Sequence, residues 1–146
     1  MTPAALLVAV AFAAVLQHPA SAGDDLESRV QRLVHCLEGK WELMGSSGTD
    51  LDRIHRWRKL NDTITVQART FPTDQDAEQH VRAMVAALGM PVSERVKAAS
   101  FGVRIAWGDG GSSVYLAIGR TAVIISVPST DLARRLSRQA AAEFSS

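Results

Sequence analysis

The sequence contains almost no cysteine, because Cys36 is the single one among 146 residues. One cysteine allows no disulfide within the chain, which excludes the disulfide-stabilised class of small secreted proteins. Packing of a hydrophobic core must therefore stabilise the fold. Cys36 itself is either a free thiol at the rim of a helix or, in an oxidising compartment, the site of an intermolecular disulfide.

The sequence also has no excess of charge of either sign, since 16 lysines and arginines accompany 15 aspartates and glutamates. Nucleic-acid-binding proteins usually carry a stronger basic bias, so we expect no nucleic-acid partner. Low-complexity segments and linkers rich in Pro, Gly or Ser are missing as well. We therefore expect a single small domain over residues 23–146, which is long enough to bury a core.

Recognisable motifs for metals, cofactors and catalysis are missing too. His35, His55 and His80 have no partner at metal-ligand spacing. The GSSG segment at residues 45–48 misses the spacing of a nucleophile elbow by one residue, so we expect a loop there. We predict no cofactor, no metal and no catalytic residue. The alternative is a small hydrolase whose site forms only in three dimensions, with His55 or His80 as base and a serine or Cys36 as nucleophile.

The first 22 residues are typical of a cleaved secretion signal. Their apolar run, residues 4–16, is too short to span a bilayer, which needs about 20 apolar residues. The small residues at 20–22 suit signal peptidase, although no lysine or arginine precedes the run. We predict cleavage before Gly23, a secreted or periplasmic mature domain, and no stable membrane anchor after cleavage.

Three later segments carry apolar residues at helical spacing. The first covers residues 24–38 and stops at Gly39. The second covers residues 74–88, with a capping pattern at its start and glycine at its end. The third begins at Ser129 or Thr130 and runs to residue 144. We predict three amphipathic helices.

Alternation of apolar and polar residues predicts β-strands between these helices. The predicted strands are residues 41–44, 54–60, 63–71, 101–107, 113–118 and 121–127. Turn residues separate the last three, which predicts a meander with its last strand near the sheet centre. The element order predicts an α+β fold, in which an antiparallel β-sheet has two to three amphipathic helices packed on one face. Such a layout can leave the other face exposed.

Residues 39–41, Gly-Lys-Trp, resemble the G-x-W opening of the lipocalin family. The resemblance covers three residues and implies an eight-stranded barrel around an apolar ligand. The helix predicted at residues 74–88 falls where such a barrel would continue with hairpins. A helix stop at Gly39 and a core position for Trp41 are the alternative interpretation.

The densest basic run lies at residues 53–59 and provides the candidate ligand-binding site. Tryptophan between arginines suits a polyanion, a lipid headgroup or a glycan. The predicted ligand-binding residues are Arg53, His55, Arg56, Trp57, Arg58 and Lys59. The alternative is a charged edge strand in which Trp57 packs inward.

The sequence favours a non-enzymatic binding domain over an enzyme. Each catalytic template fails at its spacing, whereas three tryptophans offer the large contact surfaces of binding sites. We expect the ligand to be a protein or a small apolar or anionic molecule, bound to a monomer or homodimer. A further alternative is an envelope chaperone-like dimer that pairs through a sheet edge or the last helix.

Overall fold

A computed structural model describes residues 26–145. The predicted secretion signal and its cleavage site lie outside the described residues. The first helix, α1, covers residues 26–35. The elements that follow are β1 (Glu42–Gly48), β2 (Asp52–Lys59), β3 (Asp62–Thr70), α2 (Asp74–Leu88), β4 (Glu94–Arg95), β5 (Phe101–Ala106), β6 (Ser112–Ile118), β7 (Thr121–Val127) and α3 (Thr130–Phe144).

The seven strands form one antiparallel sheet in the order β1-β2-β3-β7-β6-β5-β4. The predicted α+β class and the C-terminal meander are confirmed, and β7 is the central strand. β1 and β4 are the two edges, so the sheet does not close into the barrel that the lipocalin resemblance implies. The two halves of the sheet join where β3 pairs with β7.

The helix caps are those that the sequence predicts. The Thr73 hydroxyl accepts a hydrogen bond from the Asp76 backbone N–H at 3.1 Å, and the Ser129 hydroxyl accepts one from Leu132 at 3.2 Å. Each such cap contributes about 1 kcal/mol. Gly89 ends α2 in the left-handed conformation, with φ of 62°. Local sequence therefore determines where α2 and α3 begin and where α2 ends.

One prediction about local structure is wrong. Residues 45–48 form the second half of β1 instead of a loop. They pair with β2 residue by residue, and an irregularity between Leu43 and Gly45 shifts the register. This pairing provides hydrogen-bond partners for backbone groups of β2. The local sequence of β1 is rich in Gly and Ser and does not predict the pairing.

The helices lie on both faces of the sheet. α1 and α3 cover one face, in agreement with the two to three helices expected there. α2 packs on the opposite face against β5, β6 and β7. Every residue of β6 is buried, because this half of the sheet is covered on both sides. The face expected to be exposed is thus covered over β5–β7 and lacks a helix over β1–β3.

Candidate functional site

The basic run forms most of β2, so its side chains alternate between the two sheet faces. Trp57 is 5% exposed and packs in the core beneath α1. Arg56 and Arg58 lie on the opposite face and are exposed. The predicted six-residue site is therefore divided: four residues face α1, and the two arginines do not. The four are Arg53, His55, Trp57 and Lys59.

The edge-strand alternative is right about one point and wrong about the other. Trp57 does pack inward, but β2 lies between β1 and β3 and is not an edge. Protection of an exposed edge therefore does not explain Arg56 and Arg58. Their exposure on an open sheet face requires another reason.

Four polar side chains meet beneath the start of α1, and we call them the His55 cluster. They are Glu27 of α1, Ser46 of β1, and Arg53 and His55 of β2. His55 is fully buried, and its Nε2 lies 3.1 Å from Ser46 Oγ and 3.9 Å from Glu27 Oε1. Arg53 Nη2 donates to Ser46 Oγ at 2.6 Å and to Glu27 Oε1 at 3.4 Å. The cluster thus connects α1 to the first two strands.

Burial lowers the pKa of His55 below its ordinary value of 6.5, because a buried imidazolium loses its hydration. The Arg53 guanidinium lowers this pKa further, whereas the Glu27 carboxylate raises it. His55 is therefore neutral at pH 7. Its Nδ1 atom has no hydrogen-bond partner within residues 26–145.

A serine hydroxyl beside a neutral imidazole is the pairing used in nucleophilic catalysis. The His55 cluster nevertheless differs from a catalytic triad, in which the acid bonds to the ring nitrogen away from the serine. Glu27 lies near Nε2, the same atom that faces Ser46. Arg53 also donates to the Ser46 oxygen, which draws electron density from the would-be nucleophile. The geometry suits a structural link better than hydrolysis.

The face of β1–β3 opposite α1 has no helix of the described chain over it. We call this surface, together with the adjoining ends of β7 and β6 that line one groove with Thr65, the open half-face. The register places a line of polar residues on this face, and paired residues share a face. Arg56 is opposite Thr65. Thr65 is opposite Ser126, which is opposite Ser113. We call these four residues the polar row. Neighbouring strands lie about 4.8 Å apart, so the row is about 14 Å long.

Trp107 lies at the far end of the polar row. Its Nε1 donates to Ser113 Oγ at 2.9 Å, and that oxygen lies 3.0 Å from Ser126 Oγ. These bonds fix the indole, which is still 39% exposed. Trp107 therefore supplies the aromatic surface that was expected from Trp57.

A groove of about 600 Å³ runs along this end of the row. Trp107, Thr65 and Ser126 contribute to its lining, together with the acidic residues Asp62 and Asp109. The groove thus combines one aromatic ring with hydroxyl donors and carboxylate acceptors. Such a combination can orient a polar ligand without any chemical step.

The cationic end of the open half-face is at Arg56 and Arg58. Neither arginine has an ion-pair partner among the described side chains. Glu42 is directly opposite Arg58, whereas Arg56 has Gly45 and Thr65 beside it. Arg56 is therefore the less compensated of the two charges.

The remaining predicted groups lie elsewhere. Cys36 is exposed, lines a surface cavity with Leu33 and Leu136, and its Sγ donates to the Arg32 carbonyl at 3.2 Å. It lies at the end of α1 away from Glu27. His80 packs on Phe71, with ring centroids 4.8 Å apart, on the opposite side of the sheet from His55. Neither residue joins the His55 cluster, and the intermolecular disulfide stays a prediction.

Another cavity lies on the α1 side of the sheet. A cavity of about 340 Å³ lies between the end of α1 and β1, with Trp41, Leu43 and Trp57 among its lining residues. The Lys59 ammonium lies over the Trp41 ring, 5.9 Å from its centroid. This cavity is where the small apolar ligand of the sequence-based prediction would fit.

Within residues 26–145, no group of three or more His, Cys, Asp or Glu side chains is placed to hold a metal ion. Over the same range, no helix combines the length and the apolar character that a membrane span needs.

The polar row escaped sequence analysis for a definite reason. Thr65, Ser113 and Ser126 occupy alternate positions of three predicted strands, so each could be assigned to a face. The order β3-β7-β6 is what aligns them, and it depends on a pairing across 61 residues between Thr65 and Ser126. Trp107 was expected to end a strand and, with the other two tryptophans, to offer a contact surface, but its position beside these hydroxyls was not predicted.

Comparison of the chain with models of protein families, with curated proteins and with solved structures gave no significant match. Inference about function therefore depends on the geometry of this chain.

Proposed function

We propose that the mature domain is an exported, non-enzymatic binding module that holds an anionic ligand on the open half-face. The observation that carries this proposal is the pair Arg56 and Arg58. Both are exposed, without an ion-pair partner in the described chain, and both lie on a sheet surface that the described helices leave open.

The spacing of the arginines suits an anionic group. Residues two apart on a strand face lie about 7 Å from each other. A carboxylate, sulfate or phosphate can therefore bind to one guanidinium or lie between both, and guanidinium groups bind such anions through paired hydrogen bonds. β2 is held by strands on both sides, so the arginines project from a rigid part of the fold.

A charge-reversal experiment tests this proposal. Arg56→Glu with Arg58→Glu should elute from immobilised heparin at clearly lower salt than the unmodified domain. The matched control is Arg135→Glu with Arg138→Glu, which makes the same change of net charge on α3, on the other side of the sheet. The control should retain most of the binding. Equal loss in both variants would show that net charge alone decides retention and would contradict the proposal.

The predicted export has its own test. N-terminal sequencing of the protein from its own host's envelope or culture fluid should give Gly23 as the first residue. A mature chain that begins at Met1 would contradict export by this signal.

A hydrolase is the second candidate function, because Ser46 Oγ lies within hydrogen-bond reach of His55 Nε2. It ranks below binding because the His55 Nδ1 atom lacks an acidic partner in the described chain and Arg53 donates to the nucleophile. A fluorophosphonate probe distinguishes the two. Labelling of the domain that disappears in Ser46→Ala would support the hydrolase function. Absence of labelling in the unmodified domain would contradict that function.

A further inference from the structure

We infer that the anionic ligand of the open half-face is an acidic oligosaccharide, with its rings along the polar row and one ring on Trp107. This inference rests on the proposed function and adds the class of ligand. Four kinds of group on this surface carry the inference. They are the Arg56 guanidinium, the hydroxyls of the polar row, the carboxylates of the groove and the fixed, partly exposed indole of Trp107.

The fixed indole is the first argument. Trp107 is 39% exposed, and its N–H is held by Ser113. A large aromatic ring that stays partly exposed while its polar atom is satisfied presents a flat apolar surface at little entropic cost. The apolar faces of sugar rings fit such a surface, whereas a small inorganic anion gains nothing from it.

The sequence of groups along the surface is the second argument. Arg56 stands at one end of the polar row, Asp109 lines the groove near Trp107 at the other end, and Asp62 lines the groove at the start of β3. An evenly charged polyanion would be attracted at Arg56 and repelled at the aspartates. A saccharide with spaced acidic groups can place a carboxylate or sulfate on Arg56 and donate neutral hydroxyls to Asp62 and Asp109.

The neighbouring residues argue against a lipid surface. Around Arg56 and Arg58, the open half-face carries the polar residues Thr63, Thr65 and Gln67, together with the apolar Ile54, which is half-buried opposite Gln67 and does not project from the surface. Membrane-binding surfaces combine basic residues with apolar side chains that enter the acyl boundary. A water-soluble polar ligand fits this surface better.

Three probes test the inference: a hyaluronan octasaccharide, tripolyphosphate as an anion without rings, and maltohexaose as a neutral saccharide. Binding is measured by calorimetry and by the indole N–H signals in ¹⁵N–¹H NMR spectra. The hyaluronan oligosaccharide should bind and shift the Trp107 indole signal. Trp107→Ala should weaken its binding about tenfold, the effect of about 1.4 kcal/mol from a lost aromatic contact, whereas Trp107→Phe should retain most of it.

A second pair of variants tests the cationic end of the open half-face without removing any contact. A Cβ atom at Gly45, beside Arg56, meets nothing within 4 Å, so a side chain fits there. Gly45→Glu places a carboxylate next to Arg56 and should weaken hyaluronan binding severalfold. Gly45→Gln has nearly the same size and no charge, and it should bind like the unmodified domain.

The outcomes separate the inference from the proposed function. If tripolyphosphate binds as tightly as the oligosaccharide and Trp107→Ala changes neither, the ligand is a simple anion and the inference is wrong, while the proposed function stands. If neither heparin nor any of the three probes binds, both are wrong. If maltohexaose binds as tightly as hyaluronan, no anion is needed, and both are again wrong.

Discussion

Acidification should destabilise the domain through His55. The pKa of this histidine is lowered from 6.5 by burial first and by Arg53 second. The unfolded chain therefore binds a proton at a higher pH than the folded chain does. Stability is fully present above about pH 6.5 and is lost as the pH falls through the lowered pKa of the folded state.

The structure indicates why the effect should be measurable. The His55 ring is fully buried, and its Nδ1 atom has no partner in the described chain, so protonation there would create a buried, unsatisfied N–H. Glu27 offsets part of this cost from 3.9 Å. One histidine can change the free energy of unfolding by at most about 1.4 kcal/mol for each pH unit.

Urea denaturation at several pH values between 7.5 and 5.0 measures how steeply the free energy of unfolding changes with pH. His55→Gln is the variant to compare. Glutamine places an amide near Ser46 but does not titrate, so the variant should lose stability less steeply on acidification. His80→Gln should show a smaller change of the same sign, because the pKa of His80 is also lowered by burial, in a half-exposed position. Identical slopes for His55→Gln and the unmodified domain would refute this reasoning.

Three other outcomes are expected. Gly102→Ala should lower the free energy of unfolding by about 1–3 kcal/mol in a denaturant titration, because its Cβ would lie 2.9 Å from the Val96 carbonyl oxygen; an unchanged midpoint would contradict the packing. Leu60 has φ of 56° at the tip of the β2–β3 hairpin and is 89% exposed. Leu60→Asn should therefore stabilise the domain by up to about 1 kcal/mol, and a loss of stability would count against a strained turn. Cys36 should react with a thiol reagent in the folded domain nearly as fast as in urea, and slow labelling would show that it is buried.

Local patterns were sufficient to predict the elements except the second half of β1 and the short strand β4. The apolar stripe of α1 contains Leu26, Val30 and Leu33, all buried as helical spacing requires. The paired start and stop signals of α2 are local as well. The two hairpins that join β5 to β6 and β6 to β7 follow from turn residues. Such signals act within a few residues, which is why sequence alone reveals them.

Placement of α2 could not be predicted in this way. Its stripe of Ala77 and Val81 fits either sheet face. The choice follows from β6, whose Tyr115 and Ala117 point away from α1 and α3 and need cover. Only the strand order shows that these residues are beside β7 and available to α2.

The candidate site illustrates the same limit. The basic run was treated as one site, but a strand places alternate residues on opposite faces, which separates Trp57 from Arg56. The aromatic partner of Arg56 on the open half-face comes from residue 107 instead, through pairings between distant strands. Proximity in the sequence was therefore a poor guide to proximity in the site.

Mapping a bound anion onto the domain by NMR tests the central claim most directly. Amide shifts on addition of the hyaluronan octasaccharide should concentrate at Arg56, Thr65, Ser126 and Trp107. Shifts centred on Ser46 and His55, or on the outer surface of α3, would contradict binding at the open half-face.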